Sequence, residues 1–362
     1  MPIQQMFLGA GGGFTAGTYT GTRGVFGGGS SQAFANSGGE TNANNLMYIT
    51  IQSTGNSVDF GTLTQGRQTG ICASNGSRGC FMGGWRKYYV GGNIGNNILN
   101  GQNTIDYITF ANTGNATDFG NLTNSESGGS AGASNGDRGV RAGGMFREIS
   151  GYGSGDTMDY ISIATTGNAS DLADTQDRRH RWKGASDGIY GYYCGGRKTT
   201  AYYGTAGPYN TIMWHNIATT ADTTTFGSYV PAFSDETCGC GTESRLLYAG
   251  GIQQYSNENN SWLEKIDYLT AATTGNSTDF GNMTGRRGYA AAMCDQNRAV
   301  IAGGSYAQGQ TYDNYPSGTK MDYVTVATTG NASNFGNVFS NVWNTGHDSY
   351  LGQSRMGAGT GT

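Results

Sequence analysis

The chain has 362 residues, of which 64 are glycine and only 4 proline; 13% are charged, and the formal net charge is −4. Glycine without a Gly-X-Y period excludes collagen, and so few charges exclude a solvated disordered chain. The mild negative balance gives nucleic acid no electrostatic footing, and no apolar run reaches the roughly 18 residues of a membrane span.

Read from the start, Met1-Pro2-Ile3-Gln4-Gln5-Met6-Phe7-Leu8 carries neither a basic segment nor a long apolar one, so no signal peptide is expected. The first patterned stretch is Arg23-Gly24-Val25-Phe26-Gly27, closed by Gly28-Gly29. The same closing glycines return at Gly84, Gly144, Gly196, Gly251 and Gly304, in steps of 52 to 60 residues. A second motif, from Ile105 through Thr113-Gly114-Asn115 to Gly120, returns at Met158–Leu172, Ile266–Gly281 and Met321–Gly336. Worn copies occupy Leu46–Gly61 and Ile212–Gly227. The chain is thus six tandem units, approximately 22–76, 77–136, 137–187, 188–243, 244–296 and 297–349, with 1–20 and 350–362 as terminal extensions.

Each unit reads as four short strands. In the fifth these are Arg245–Ala249, Asp267–Ala272, a strand through Thr278-Asp279-Phe280, and the small-residue run Gly288–Cys294. Apolar and polar residues alternate in the strands, and no stretch has a helical period. The Thr-Gly-Asn turn is expected to need positive φ at Gly55, Gly114, Gly167, Gly275 and Gly330. Ala221-Asp222 replaces Gly-Asn in unit four, where the turn should differ. The same turn accounts for the sequon-like triplets at Asn115, Asn168 and Asn331 better than glycosylation does.

The six cysteines, Cys72, Cys80, Cys194, Cys238, Cys240 and Cys294, are too sparse for a disulfide scaffold and read as buried free thiols.

A four-stranded unit of about 54 residues cannot bury both of its faces alone, so the units must stack. The fold class predicted is all-β: a β-propeller of six four-stranded blades, closed by a blade built from both termini. Asn337–Ser349 is assigned to the fourth-strand position, and a partial seventh blade stays open if Met6-Phe7-Leu8 forms a strand.

The double glycine closing a strand, with a tyrosine on the next strand, resembles the kelch repeat over roughly residues 20–345. The kelch tryptophan is missing from a regular position, so the likeness is kelch-like rather than standard. Modules such as Met321-Asp322-Tyr323-Val324-Thr325-Val326-Ala327-Thr328-Thr329-Gly330-Asn331 are similar to kelch-like repeat proteins of marine bacteriophage virions. That resemblance implies a virion protein of the tail, its fibre or the capsid exterior, made in the host cytoplasm. Implied partners are other virion proteins and host cell-surface polysaccharide, with self-association left open.

Nothing repeated around a ring argues for catalysis. Asp106, Asp159, Asp267 and Asp322 recur, as do Arg23, Arg78, Arg138, Arg245 and Arg298; a catalytic pair is normally unique in its chain. His180, His215 and His347 share no metal spacing. No catalytic residue, metal or cofactor is therefore expected. Binding is sought where the repeat breaks: Arg181, Trp182 and Lys183, with Tyr202 and Tyr203, in the fourth unit, and Trp85, Arg86 and Tyr88 after a double glycine. Tyrosine, tryptophan and arginine anchor interfaces and stack on sugars, although such aromatics can equally be blade packing. The segments after each double glycine vary most and should emerge on one face. A cellular lectin-like propeller is the second reading; an enzyme, such as a copper-radical oxidase, is the third.

Overall fold

The computed structural model describes residues 22–29, 43–89, 97–125, 128–148, 151–200, 204–229, 234–235, 237–253, 261–304, 319–338 and 356–361. In blade 1, β1 (Arg23–Gly27), β2 (Asn45–Thr50) and β3 (Val58–Thr62) form an antiparallel meander. Blade 2 is built from β4 (Ile71–Ser74) and β5 (Arg78–Met82). It continues, past the side hairpin β6 (Trp85–Tyr89) and β7 (Asn97–Gly101), into β8 (Thr104–Thr109) and β9 (Thr117–Asn121). Blade 3 has β10 (Ala131–Ser134), the long hairpin β11 (Arg138–Glu148) and β12 (Gly151–Ser162), and β13 (Ser170–Asp174).

Blade 4 has β14 (His180–Ser186), β15 (Tyr190–Thr200) with β16 (Gly204–Pro208) at its side, β17 (Thr211–Asn216) and β18 (Thr224–Ser228). A small sheet of β19 (Ser234–Asp235), β22 (Ile252–Gln253) and β23 (Ser261–Trp262) flanks blade 5. That blade consists of β20 (Cys238–Gly241), β21 (Arg245–Ala249), β24 (Lys265–Thr270) and β25 (Thr278–Asn282). Blade 6 is β26 (Ala291–Cys294), β27 (Arg298–Ala302), β28 (Lys320–Thr325) and β29 (Ser333–Asn337). The last strand, β30 (Met356–Gly361), returns to pair with β1 and completes blade 1.

The strands β30, β4, β10, β14, β20 and β26 are innermost, and each meets the next around a closed ring. The described residues therefore make a six-bladed β-propeller. Two expectations about closure are corrected. The innermost strand of blade 1 is β30, inside the segment expected to be a terminal extension; residues 339–355 and Met6-Phe7-Leu8 lie outside the described residues. The small-residue run that ends each sequence unit, such as Ala291–Cys294, is the first strand of the next blade rather than the last of its own. Repeat and blade are thus out of phase by one strand, and the C-terminal strand β30 fills the gap left in blade 1.

Small residues suit these inner strands because the strands nearly touch. A Cβ on Gly184 would stand 2.0 Å from Gly132 O, and one on Gly241 2.2 Å from Ser186 O. Between blades lie apolar clusters, for example Phe26, Met47, Ile49 and Ile51 of blade 1 against Met293, Val300 and Phe335 of blade 6. Burial of such side chains contributes roughly 1.5–3 kcal/mol each and holds neighbours together without covalent links.

A polar clasp completes each junction. The turn of one blade hydrogen-bonds along the outer strand of the preceding one: Gly330 N to Phe280 O (2.8 Å), Ala332 N to Asn282 O (2.8 Å), and Asn282 N to Asn331 Oδ1 (3.0 Å). Asn115, Asn168, Asn276 and Asn56 accept in the same way elsewhere. In blade 4, Asp222 Oδ1 accepts from Asp174 N at 3.1 Å, so an aspartate does the asparagine's work.

The expectation of positive φ at Gly55, Gly114, Gly167, Gly275 and Gly330 is not met: none has it. Positive φ falls instead on the outer-strand glycine that receives the turn, such as Gly281 at 151°. A Cβ there would lie 2.3 Å from Gly330 O, so that glycine is required twice over, by conformation and by close approach.

The repeated arginines cap the same junctions. Arg78 Nη1 donates to Ile163 O (3.0 Å) and Ala164 O (2.9 Å) of the next blade, with its guanidinium 4.3 Å from the Tyr107 ring centroid. Arg23, Arg138, Arg245 and Arg298 repeat the arrangement.

Candidate functional site: the loop face and the axial channel

Strand direction sorts the connections onto two faces. The tight turns after each inner strand and the Thr-Gly-Asn turns share one face. The double-glycine loops and the links between blades share the other. The double glycines turn the chain sharply there: Gly250 and Gly251 have φ of 63° and 104°, and Gly251 N donates to Arg287 O of the next link at 2.9 Å.

The described sequence-derived candidates belong to this loop face, but the structure gives them different tasks. Trp182 is fully buried, lies tilted against Tyr193 with ring centroids 5.5 Å apart and donates from its indole to Ala142 O of blade 3. Trp85 is 7% exposed, and its indole fills the space beside Gly128. Both are junction-packing residues, which corrects the reading of them as contact surface: a flat apolar ring beside a glycine is worth more buried between blades than exposed.

Arg86 is half-buried, with Nη1 donating to Gln65 Oε1 at 3.2 Å. Arg181 has φ of 59° and donates its backbone N–H to Gly129 O at 2.7 Å. Tyr88 sits on β6, whose far side chains are outside the description, and Tyr202 and Tyr203 lie outside the described residues.

Lys183 is the candidate with the most distinctive position. It opens the channel-facing part of β14 and lines the loop-face end of the axial channel beside Cys72, Gly132, Cys238 and Ala290. That end encloses about 70 Å³. The opposite end, about 110 Å³, is lined by small residues, among them Ser74, Ser134, Ser186, Cys240 and Cys294. Burial pushes the Cys72 thiol well up and the Cys238 thiol to about 11, although the charges of Arg67 and Lys183 pull Cys72 down, as those of Arg287 and Lys183 do Cys238. These thiols therefore stay protonated and unreactive at neutral pH.

The two described histidines are core groups. His180 Nδ1 meets Ser154 Oγ at 2.8 Å, and His215 stacks on Tyr193 with centroids 5.6 Å apart. Burial lowers His180 well below the ordinary value, and His215 to about 4. Among the described residues, no group of three or more histidine, cysteine, aspartate or glutamate side chains is gathered as a metal site.

Three of the four repeated aspartates, Asp106, Asp159 and Asp322, are buried structural anchors. Asp106 is fully buried between Arg67 Nη1 (2.8 Å) and Thr64 Oγ1 (2.6 Å). Asp322 repeats this with Arg287 (2.6 Å) and Thr284 Oγ1 (2.7 Å). Asp159 pairs with Thr123 and with Arg141, an arginine supplied from β11 because its link does not carry one. Sequence reasoning grouped these aspartates but missed their partners. The Thr-x-x-Arg run of Thr64–Arg67 and Thr284–Arg287 was the available signal.

Similarity to solved structures agrees with the architecture. The structure titled "Structure of YjhT" superposes with a TM-score of 0.62 at 12% identity, covering 80% of this chain and 91% of that one. The chain is a kelch-like six-bladed β-propeller. At that identity the likeness concerns the fold alone. No protein-family model matches the sequence, and no curated protein matches it.

Proposed function

We propose that this propeller is a non-enzymatic bacteriophage virion protein of the tail, its fibre or the capsid exterior. Its loop face docks to other virion proteins and binds host surface glycans. The observation that carries the reading is the division of labour between the faces. One face repeats the same turns, clasps and arginine caps around the ring. The other gathers the irregular segments: the β6–β7 hairpin, the extended β11–β12 hairpin, the β15–β16 extension and the β19–β22–β23 sheet. Irregular loops held on a rigid ring are where recognition is usually built. Lys183 at the channel mouth and Arg86 on the β6–β7 hairpin add cationic donors suited to acidic sugars. Among the described residues, Asp106, Asp159, Asp322, His180 and His215 are buried in ion-pair or packing roles, which supports a binding role over an enzymatic one.

The test is retention of purified protein on intact host cells and on their envelope polysaccharide, alongside mass-spectrometric detection of the chain in purified virions. An Arg86→Ala/Lys183→Ala variant is expected to lose at least about tenfold in retention, on the scale of one or two interface anchors. Thr54→Ala, on the opposite face, is expected to retain normally. Retention equal in all three proteins would defeat the assignment of the binding face. Absence of the chain from virions, together with normal glycan binding, would favour the lectin-like reading.

A further inference from the structure

Blade 5 retains the repeated aspartate but has lost both partners. Asp267 is 1% exposed, and neither of its carboxylate oxygens has a hydrogen-bond partner. The link that supplies threonine and arginine in blades 2 and 6 here reads Tyr229-Val230-Pro231-Ala232-Phe233-Ser234. Asp235 pairs with Ile252 as Gln68 pairs with Trp85, so Ser234 stands where Arg67 stands.

The charged and titratable groups around Asp267 do not replace that arginine. Lys265, on the same strand, is 47% exposed and reaches Asp279 at 3.6 Å on the outer strand. Tyr248, opposite Asp267 in register, donates its hydroxyl to Tyr192 O at 2.9 Å. Cys194 and Cys238 are buried thiols with raised pKa and carry no charge at neutral pH. Tyr229 faces Asp267 closely enough to influence its titration, but its buried hydroxyl closes no hydrogen bond of ordinary geometry. Thr237 Oγ1, in the same link, is also buried without a partner. The buried Asp267 carboxylate, with the Tyr229 hydroxyl facing it, thus offers hard oxygen donors with one negative charge to balance.

We propose that blade 5 holds a small monovalent cation at Asp267, in the place that an arginine guanidinium fills in blades 2 and 6. The oxygen donors select an alkali or ammonium ion, and the single carboxylate balances one positive charge. With no cation bound, burial raises the Asp267 carboxyl to about 7, so proton and cation compete for the same group.

The experiment is thermal unfolding of the full chain at matched ionic strength in sodium, potassium, ammonium or tetramethylammonium chloride, the last being too large for the site. At about pH 8, one or more of the small ions is expected to raise Tm over tetramethylammonium, by on the order of 3–5 °C at a hundredfold excess over Kd. At about pH 5 the carboxyl is protonated and the difference is expected to vanish. Asp267→Asn, isosteric and uncharged, is expected to abolish the ion dependence. Ser234→Arg is expected to abolish it as well, by supplying the missing guanidinium. Identical Tm values in all four salts at pH 8 would overturn the proposal, and so would an Asp267→Asn variant that responds to the ions as the parent does. The asparagine variant alone decides the matter should the arginine variant fail to fold.

Discussion

Blades 2 and 4 have the same four-stranded meander but are held by different chemistry. Blade 2 is polar at its anchor points: Arg67 meets Asp106, and Arg78 lies over Tyr107 while capping blade 3. Blade 4 has Met213 at the aspartate position, and Tyr190 stacked on Trp214 at 4.6 Å where the arginine–tyrosine pair would be. Its cap on blade 5 is supplied by Tyr192, whose hydroxyl donates to Asp187 Oδ2 and accepts from Ala272 N, both at 2.8 Å. Arg179, left without the repeated aspartate, turns to Asp177 Oδ2 (2.9 Å) and Thr211 O (2.8 Å). The ring thus demands that certain backbone and charged groups be satisfied, and either an ion-pair set or an aromatic set can do it.

The sharpest way to break this comparison is Asp106→Ala, which strands the fully buried Arg67. Chemical unfolding is expected to show a loss of about 3–5 kcal/mol, with most of it recovered in an Arg67→Met/Asp106→Leu double variant. A double variant as unstable as the single would mean that the pair itself, and not its satisfaction, is what blade 2 requires.

Acid should strike blade 4 first. His215 is lowered from 6.5 to about 4, so the folded state binds fewer protons than the unfolded chain between those values. Its contribution is full above pH 6.5 and is lost as pH falls towards 4, by up to about 3 kcal/mol. Unfolding measured across that range should show a shallower slope in His215→Phe, the buried His180 supplying the remainder, and an unchanged slope would remove His215 as a cause.

Gly281→Ala should cost about 1–3 kcal/mol by forcing the blade 6 turn away. The natural contrast is Ala173, already alanine at the matching position of blade 3, where Ala173→Gly should change stability by under about 1 kcal/mol. The smallest effect is expected for Arg23→Lys, which keeps the charge but loses the planar donor to Phe110 O: roughly 0.5–1 kcal/mol in the same assay.

Repeat length, strand content and blade number were legible in the sequence, because Gly28-Gly29 and its five successors punctuate a pattern whose period is local. The exchange of Gly-Asn for Ala221-Asp222 was legible too, though not that Asp222 would serve as the acceptor. The role of the turn glycines was misread, because positive φ at Gly281 is set by the blade that arrives over it and not by the turn itself. Trp85 and Trp182 were read as surface for a related reason: an aromatic in an irregular stretch looks the same whether it packs a junction or faces solvent. The channel position of Lys183 and the isolation of Asp267 depend on which strand of which blade stands beside them. Local propensity and period are written along the chain and determined the six units; the phase between unit and blade, the partners of buried charge and the lining of the axis arise only when the ring closes, because each is a contact between residues dozens of positions apart.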